Sequence, residues 1–157
     1  MATNENKETI RRFANIVNSG EFAALDEICD DNFVYRSTAG EEFHGVDGVK
    51  QLISAYHEAF TDLEVTPEEL VAEGNKVFGT YRQTGTHTGN LMGIEASNNE
   101  IDIQVASLCT FENGKLVEEY DIYDTLDFLK QLGAVSEDVR PGGAEWPSGG
   151  KQLRPQG

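Results

Sequence analysis

The chain has 157 residues, enough for one domain that buries roughly two thirds of its unfolded surface. It carries 12 Lys and Arg against 28 Asp and Glu, a formal net charge of −16 at pH 7. That charge repels nucleic acid and anionic membranes, and it suits either an organism with high internal salt or an ordinary acidic protein.

The opening MATNENKETIRR has no apolar stretch of the kind a signal peptide needs, and no run approaches membrane-spanning length, so the expected location is the cytoplasm. Residues 4–18 read as an amphipathic helix, with Ile10, Phe13, Ala14 and Val17 at helical spacing and Asn18-Ser19-Gly20 as its stop. Glu21 to Cys29 reads as a second short helix, with Phe22, Leu25 and Ile28 on one side. Asp30-Asp31-Asn32 reads as a turn. Phe33-Val34-Tyr35 starts a strand, and Ala39-Gly40 suggests a hairpin leading to Glu42-Phe43-His44. Gly45 to Phe60 is the long helix, its core stripe formed by Val46, Val49, Leu52, Ile53, Tyr56 and Phe60.

Leu63 to Ala72 resembles a strand despite Pro67, which suits a sheet edge or a bulge. A turn at Glu73-Gly74-Asn75-Lys76 leads into a strand from Val77 to Thr88. A loop from Gly89 to Asn99 carries the apolar residues Leu91, Met92 and Ile94. Ile101 to Phe111 alternates clearly, with Ile101, Ile103, Val105, Ser107, Cys109 and Phe111 on one face. The turn at Asn113-Gly114 opens a further strand, which closes as a short helix with apolar residues Leu126, Leu129 and Leu132 before Gly133. In this strand Asp121 shares a face with Val117, Glu119 and Tyr123 and opposes Leu116, Glu118, Tyr120 and Ile122. Both faces mix apolar and acidic residues, so alternation leaves the direction of Asp121 open. Residues 135–157 hold three of the four prolines and Trp146, and read as a Gly/Pro-rich tail behind a domain of residues 1–134. Helices first and a strand meander afterwards imply an α+β fold.

The two cysteines, Cys29 and Cys109, make no disulfide framework and read as small buried residues. His44, His57 and His87 lack metal-ligand spacing. Neither a phosphate loop nor a nucleophile elbow is present. His87 and Asp121 remain as candidates. Taken singly, each has a structural explanation: a strand-end histidine bonded to backbone, and one exposed carboxylate among 28 acidic residues. Tyr81, Tyr120 and Tyr123 read first as core.

Four segments together resemble the SnoaL-like polyketide cyclase family of the NTF2-like superfamily. They are Val17-Asn18-Ser19-Gly20; Gly85-Thr86-His87-Thr88-Gly89 with Met92-Gly93-Ile94; Phe111-Glu112-Asn113-Gly114-Lys115-Leu116; and Asp121 with Gln131-Leu132-Gly133. The resemblance covers about residues 6–134. It implies a cone-shaped barrel, a strongly curved and mostly antiparallel sheet around a long helix, with a deep apolar pocket. It implies Asp121 as general acid/base, His87 beside it, and a pocket lined by some of Tyr35, Phe60, Tyr81, Met92, Ile103 and Ser107. It also implies chemistry without metal or organic cofactor, an intramolecular aldol condensation of a polyketide ester, and a homodimer joined through the outer sheet face. The antibiotic cyclases of this family have a tyrosine where this chain has Val17 and a histidine where it has Ser107. Two functions therefore stand side by side: an enzyme moving protons on a small apolar carbonyl compound, or a non-catalytic module that binds one.

Overall fold

The computed structural model describes residues 2–139. The amphipathic N-terminal segment forms α1 (Ala2–Ser19), burying Ile10, Ala14 and Ile16. A single 3-10 turn (Phe22–Ala24) and the four-residue α2 (Leu25–Ile28) follow. The strands and remaining helices are β1 (Cys29–Ser37), β2 (Glu42–His44), α3 (Gly45–Ala59), β3 (Glu64–Glu73), β4 (Lys76–Thr86), β5 (Glu100–Glu112), β6 (Lys115–Tyr123) and α4 (Thr125–Gln131). One curved six-stranded sheet results, in the order β2-β1-β6-β5-β4-β3. Only the β1–β6 pairing is parallel. It joins the first strand to the last, and a local reading of the sequence has no access to it.

The expected α+β architecture is what the chain adopts. Pro67 lies on the edge strand β3, where the register slips between Pro67 and Glu69, as a residue without an N–H requires. The side chain of Asn18 then does for β3 what a neighbouring strand would do. Its amide donates to the Val65 carbonyl at 2.9 Å, and its oxygen accepts from the Val65 N–H at 2.7 Å, so the end of α1 is tied to the edge strand. Asn113 and Gly114 both take positive φ, 51° and 77°, as a tight hairpin turn between β5 and β6 demands. Asp124 caps α4 by accepting from the Asp127 N–H at 2.9 Å.

Three sequence expectations need correction. Cys29 is not helical but begins β1, and Asp30-Asp31-Asn32 is strand rather than turn. The register of β1 against β6 shifts between Cys29 and Val34, so this acidic run occupies an irregular stretch of strand. In α4 the most deeply buried side chain is Phe128, with Leu132 just beyond it; Leu126 and Leu129 are half-buried. Of the expected 135–157 tail, residues 140–157, including Trp146, lie outside the described residues.

The core has two parts. The larger gathers Ile10, Leu25, Phe33, Val49, Ile53 and Leu116 between α1, α3 and the inner sheet face. The smaller gathers Phe60, Leu63, Leu91, Ile101, Phe128 and Leu132 at the far end of β4 and β5.

Candidate active site

The direction of Asp121 is decided by a bulge. Along β5 and β6, Thr110 faces Glu118, but the next pair is Phe111 with Leu116, so Val117 is the extra residue. A bulge reverses the inside–outside parity of the strand. Leu116, fully buried, therefore lies on the same face as Glu119, Asp121 and Tyr123, while Glu118, Tyr120 and Ile122 face out. The mixed faces of the sequence separate into a clean inner and outer side once this one residue is skipped.

Asp121 lies level with Ser107 on β5 and with Ser37 on β1. Its carboxyl accepts hydrogen bonds from Ser107 Oγ at Oδ1 and from Tyr35 Oη at Oδ2, the latter at 2.9 Å. The Glu119 carboxyl, two residues back on the same face, lies beside it on the cavity wall. Burial pushes the Asp121 pKa up to about 6, and the bonds from Ser107, Tyr35 and Glu119 hold it back from rising further. Burial, and then the charge on Asp121, push Glu119 well above the ordinary carboxylate range. The Cys109 thiol lies 3.9 Å from Glu119 Oε1.

These groups open on a cavity of about 110 Å3. Helix α1 walls it with Ile10, Phe13, Ala14 and Val17; α3 adds Val49, Leu52, Ile53 and Tyr56; the sheet adds Tyr81, Gln83, Ile103 and Val105 around Ser107, Glu119 and Asp121. Opposite Ser107, β4 carries Gly79, and a Cβ there would lie 2.6 Å from Tyr81 Oη. The missing side chain leaves room for the tyrosine to fold back along the inner face. At one side of the cavity, beside Tyr56, Tyr123 donates to Glu41 Oε1 at 2.8 Å. Ser37 Oγ donates to the same Glu41 oxygen at 2.8 Å.

Of the residues the sequence offered, the structure brings together Tyr35, Tyr81, Ile103, Ser107 and Asp121 around the cavity. It does not bring His87, Phe60 or Met92 there. Ser107 pairs with Gly79, and His87 stands eight residues further on, just past the end of β4, roughly 26 Å of extended chain away. His87 is fully buried in the smaller core, its ring 5.5 Å from that of Phe60. Its Nδ1 accepts from the Ser97 N–H at 3.2 Å, which leaves the proton on Nε2, and Nε2 has no partner. Phe60 caps α3 and turns toward this same cluster. Met92, at φ 45° in the loop, is 57 % exposed, and the loop buries Leu91 instead.

Sequence reasoning missed Glu119, Glu41, Tyr56 and Tyr123 as parts of the site. The i, i+2 spacing of Glu119, Asp121 and Tyr123 was the available signal, once the parity of β6 was known. Glu41 gave none, because it sits in the β1–β2 connection.

Comparison with known proteins agrees with this architecture. A protein of Jannaschia sp. CCS1 provisionally described as a SnoaL-like polyketide cyclase is 23% identical, with a TM-score of 0.78 over 85% of this chain and 94% of that one. TsrD from Streptomyces laurentii is 25% identical, with a TM-score of 0.75 over 84% and 97% of the two chains. A protein with a ketosteroid isomerase-like fold from Catenulispora acidiphila DSM 44928, solved with trimethylamine, is 15% identical, with a TM-score of 0.70 over 85% and 98%. No curated protein matches. The sequence pattern of the SnoaL-like polyketide cyclases matches residues 7–132, which include every strand and every cavity residue, and the chain belongs to that family.

Proposed function

We propose that the protein is a cofactor-independent enzyme in which Asp121 moves a proton on a small apolar carbonyl compound, by aldol-type ring closure or a related isomerisation. The observation that carries this reading is Asp121 itself: a half-buried carboxyl facing a mostly apolar cavity, with its pKa pushed up to about 6 and two hydroxyl donors fixing its orientation. A carbon between two carbonyls is already acidic, so a carboxylate of that basicity can take its proton. The carboxyl so formed can return the proton to the oxygen created at the attacked carbonyl. The apolar walls fold a flexible substrate into a reactive conformer.

The cavity size bears on the substrate. Sites for drug-sized ligands run to roughly 300–1,000 Å3, whereas an engineered cavity of about 150 Å3 accepts benzene. At about 110 Å3, this one suits a compound of one ring or a short chain.

Deuterium exchange at the acidic carbon of β-keto ester test compounds checks the reading. Exchange is expected in the wild type and lost in Asp121→Asn. Equal exchange in both would favour the second reading, a module that holds such a compound without turning it over. The specific observation on that side is the hydroxyl of Ser107 at the position where the ring-closing members carry a histidine.

We also propose that the protein is a homodimer joined through the outer sheet face. Val71, Phe78, Leu108 and Tyr120, each 37–63 % exposed, lie in register across β3, β4, β5 and β6 and form one apolar row. Light scattering at micromolar protein should give twice the chain mass, with association strengthening as salt screens the acidic charge. A monomer mass in high salt would remove the proposal.

A further inference from the structure

The acidic side chains at the cavity have no cation to answer them. Among the described residues, the ion pairs join Arg11 to Glu8, Arg12 to Glu27, Arg36 to Glu42 and Glu118, His44 to Glu42, and Arg82 to Asp102, all with exposed side chains. Asp121, Glu119 and Glu41 take part in none of them. What faces Asp121 and Glu119 is neutral: Tyr35 and Cys29 from β1, Tyr56 from α3, Tyr81 from β4, Ser107 and Cys109 from β5, and Tyr123 from their own strand. Helix α1 offers only Ile10, Phe13, Ala14 and Val17. Glu41 is the one other carboxylate nearby, and it accepts bonds from Ser37 and Tyr123.

Two carboxyls two residues apart on one strand face, in an apolar cavity and without a cation, cannot both be ionised. Where two carboxyls are held this close, the stable arrangement is one shared proton. The donors show which of the pair keeps the charge. Asp121 accepts from Tyr35 and Ser107, two hydroxyls that favour its ionised form. Glu119 has only a weak thiol donor in Cys109, at 3.9 Å.

We infer that Glu119 is the acid partner of Asp121. The two carboxyls hold a single proton between them, carried on Glu119 and donated to the Asp121 carboxylate, and both face the cavity. This rests on the proton-transfer reading of Asp121 and adds to it a second group within reach of substrate. Asp121 takes the proton from carbon and becomes neutral. Glu119, already protonated, is then free to hydrogen-bond the developing alkoxide and pass its proton there. Asp121 returns the abstracted proton to Glu119, so the pair ends with the same single proton and the charge balances. The pair stands in the region that lacks the family's histidine at Ser107, and gives that region a proton donor.

The coupling is tested without reference to activity by following the side-chain carboxyl carbons of 13C-labelled Asp and Glu by NMR from pH 4 to pH 10. In the wild type, Asp121 and Glu119 are expected to titrate in two linked macroscopic steps, with one proton between them at pH 7. In Glu119→Gln the upper step disappears and Asp121 titrates in a single one. In Asp121→Asn, Glu119 titrates in a single step. Both carboxyls ionised at pH 7 in the wild type, or a Glu119 titration unmoved by Asp121→Asn, overturns the pair. The rate profile supplies the second readout. A pair that must hold one proton gives a bell in kcat/KM for exchange, and Glu119→Gln, which still donates a hydrogen bond but cannot ionise, should lose the alkaline limb. Retention of that limb also overturns the assignment. Coupled titration in a protein without any exchange activity would leave the pair standing and remove the enzyme reading instead.

Discussion

Asp121 and His87 are both polar, both held within apolar surroundings and both reached by the strands β4 to β6, yet they sit in opposite kinds of interior. Around Asp121 the packing stops short and leaves a cavity, and the carboxyl has donors on both oxygens. Around His87 the packing is closed by Phe60 and its neighbours, and one ring nitrogen goes without a partner. Burial alone does not distinguish the two settings. Open volume beside the group, and donors that select its charge state, do.

The largest expected effect breaks the Asp121 side of this contrast. Asp121→Asn keeps size and hydrogen bonding and removes the base, so exchange should fall by roughly 10²–10⁴-fold while the fold survives. The same carboxyl should also appear in the pH dependence of stability. Its folded-state pKa is raised from an ordinary 3.8 to about 6, so the folded state holds the proton more tightly than the unfolded chain. That contribution is complete below pH 3.8 and is lost as pH rises through 6. Between pH 4 and pH 7, Asp121→Asn should therefore gain on the wild type by about 2 kcal/mol, read from urea midpoints at each pH. A constant difference across that range would mean that Asp121 is not desolvated.

His87 tests the other side. Removing its ring in His87→Ala leaves a hole in a closed core. The expected cost is about 2 kcal/mol of stability, because lost packing is partly offset by removing an unpaired N–H. Exchange by the folded protein should stay within about two-fold of wild type, since the ring is roughly 26 Å of extended chain from the carboxyl. A drop comparable to that of Asp121→Asn would place His87 back in the chemistry.

How much of this was legible beforehand depends on the element. The stripe Val49, Leu52, Ile53 in α3 and the alternation of β5 announce their buried faces, because each runs regularly through its whole length. Strand β6 does not, because the bulge at Val117 reverses parity in the middle of it and no local pattern marks an extra residue. Asp30-Asp31-Asn32 misleads because turn chemistry outweighs strand signals when the partner strand, β6, lies eighty-odd residues ahead. The Gly85-Thr86-His87-Thr88-Gly89 segment marks a real structural feature, the end of β4 locked against Phe60, but the register carries it away from the cavity. The motif identified the family; only the pairing of strands showed which of its residues share a site.

The smallest effect sharpens the role of the donors around Asp121. Tyr35 Oη donates to Oδ2 at 2.9 Å, and a bond to the ionised form lowers a carboxyl pKa. Tyr35→Phe keeps the ring in its place beside Phe43 and removes only that bond. The Asp121 pKa should then rise by about one pH unit, equivalent to about 1.4 kcal/mol for a hydrogen bond to a charged group. With the ionised carboxylate as the proposed base, the acid limb of the exchange profile should move to higher pH by the same amount, with the rate on the plateau little changed. A limb that stays in place would mean that Ser107 and Glu119 set the charge of Asp121 without the tyrosine. A limb that moves to lower pH would mean that the tyrosine had been stabilising the neutral acid, by accepting its proton rather than donating.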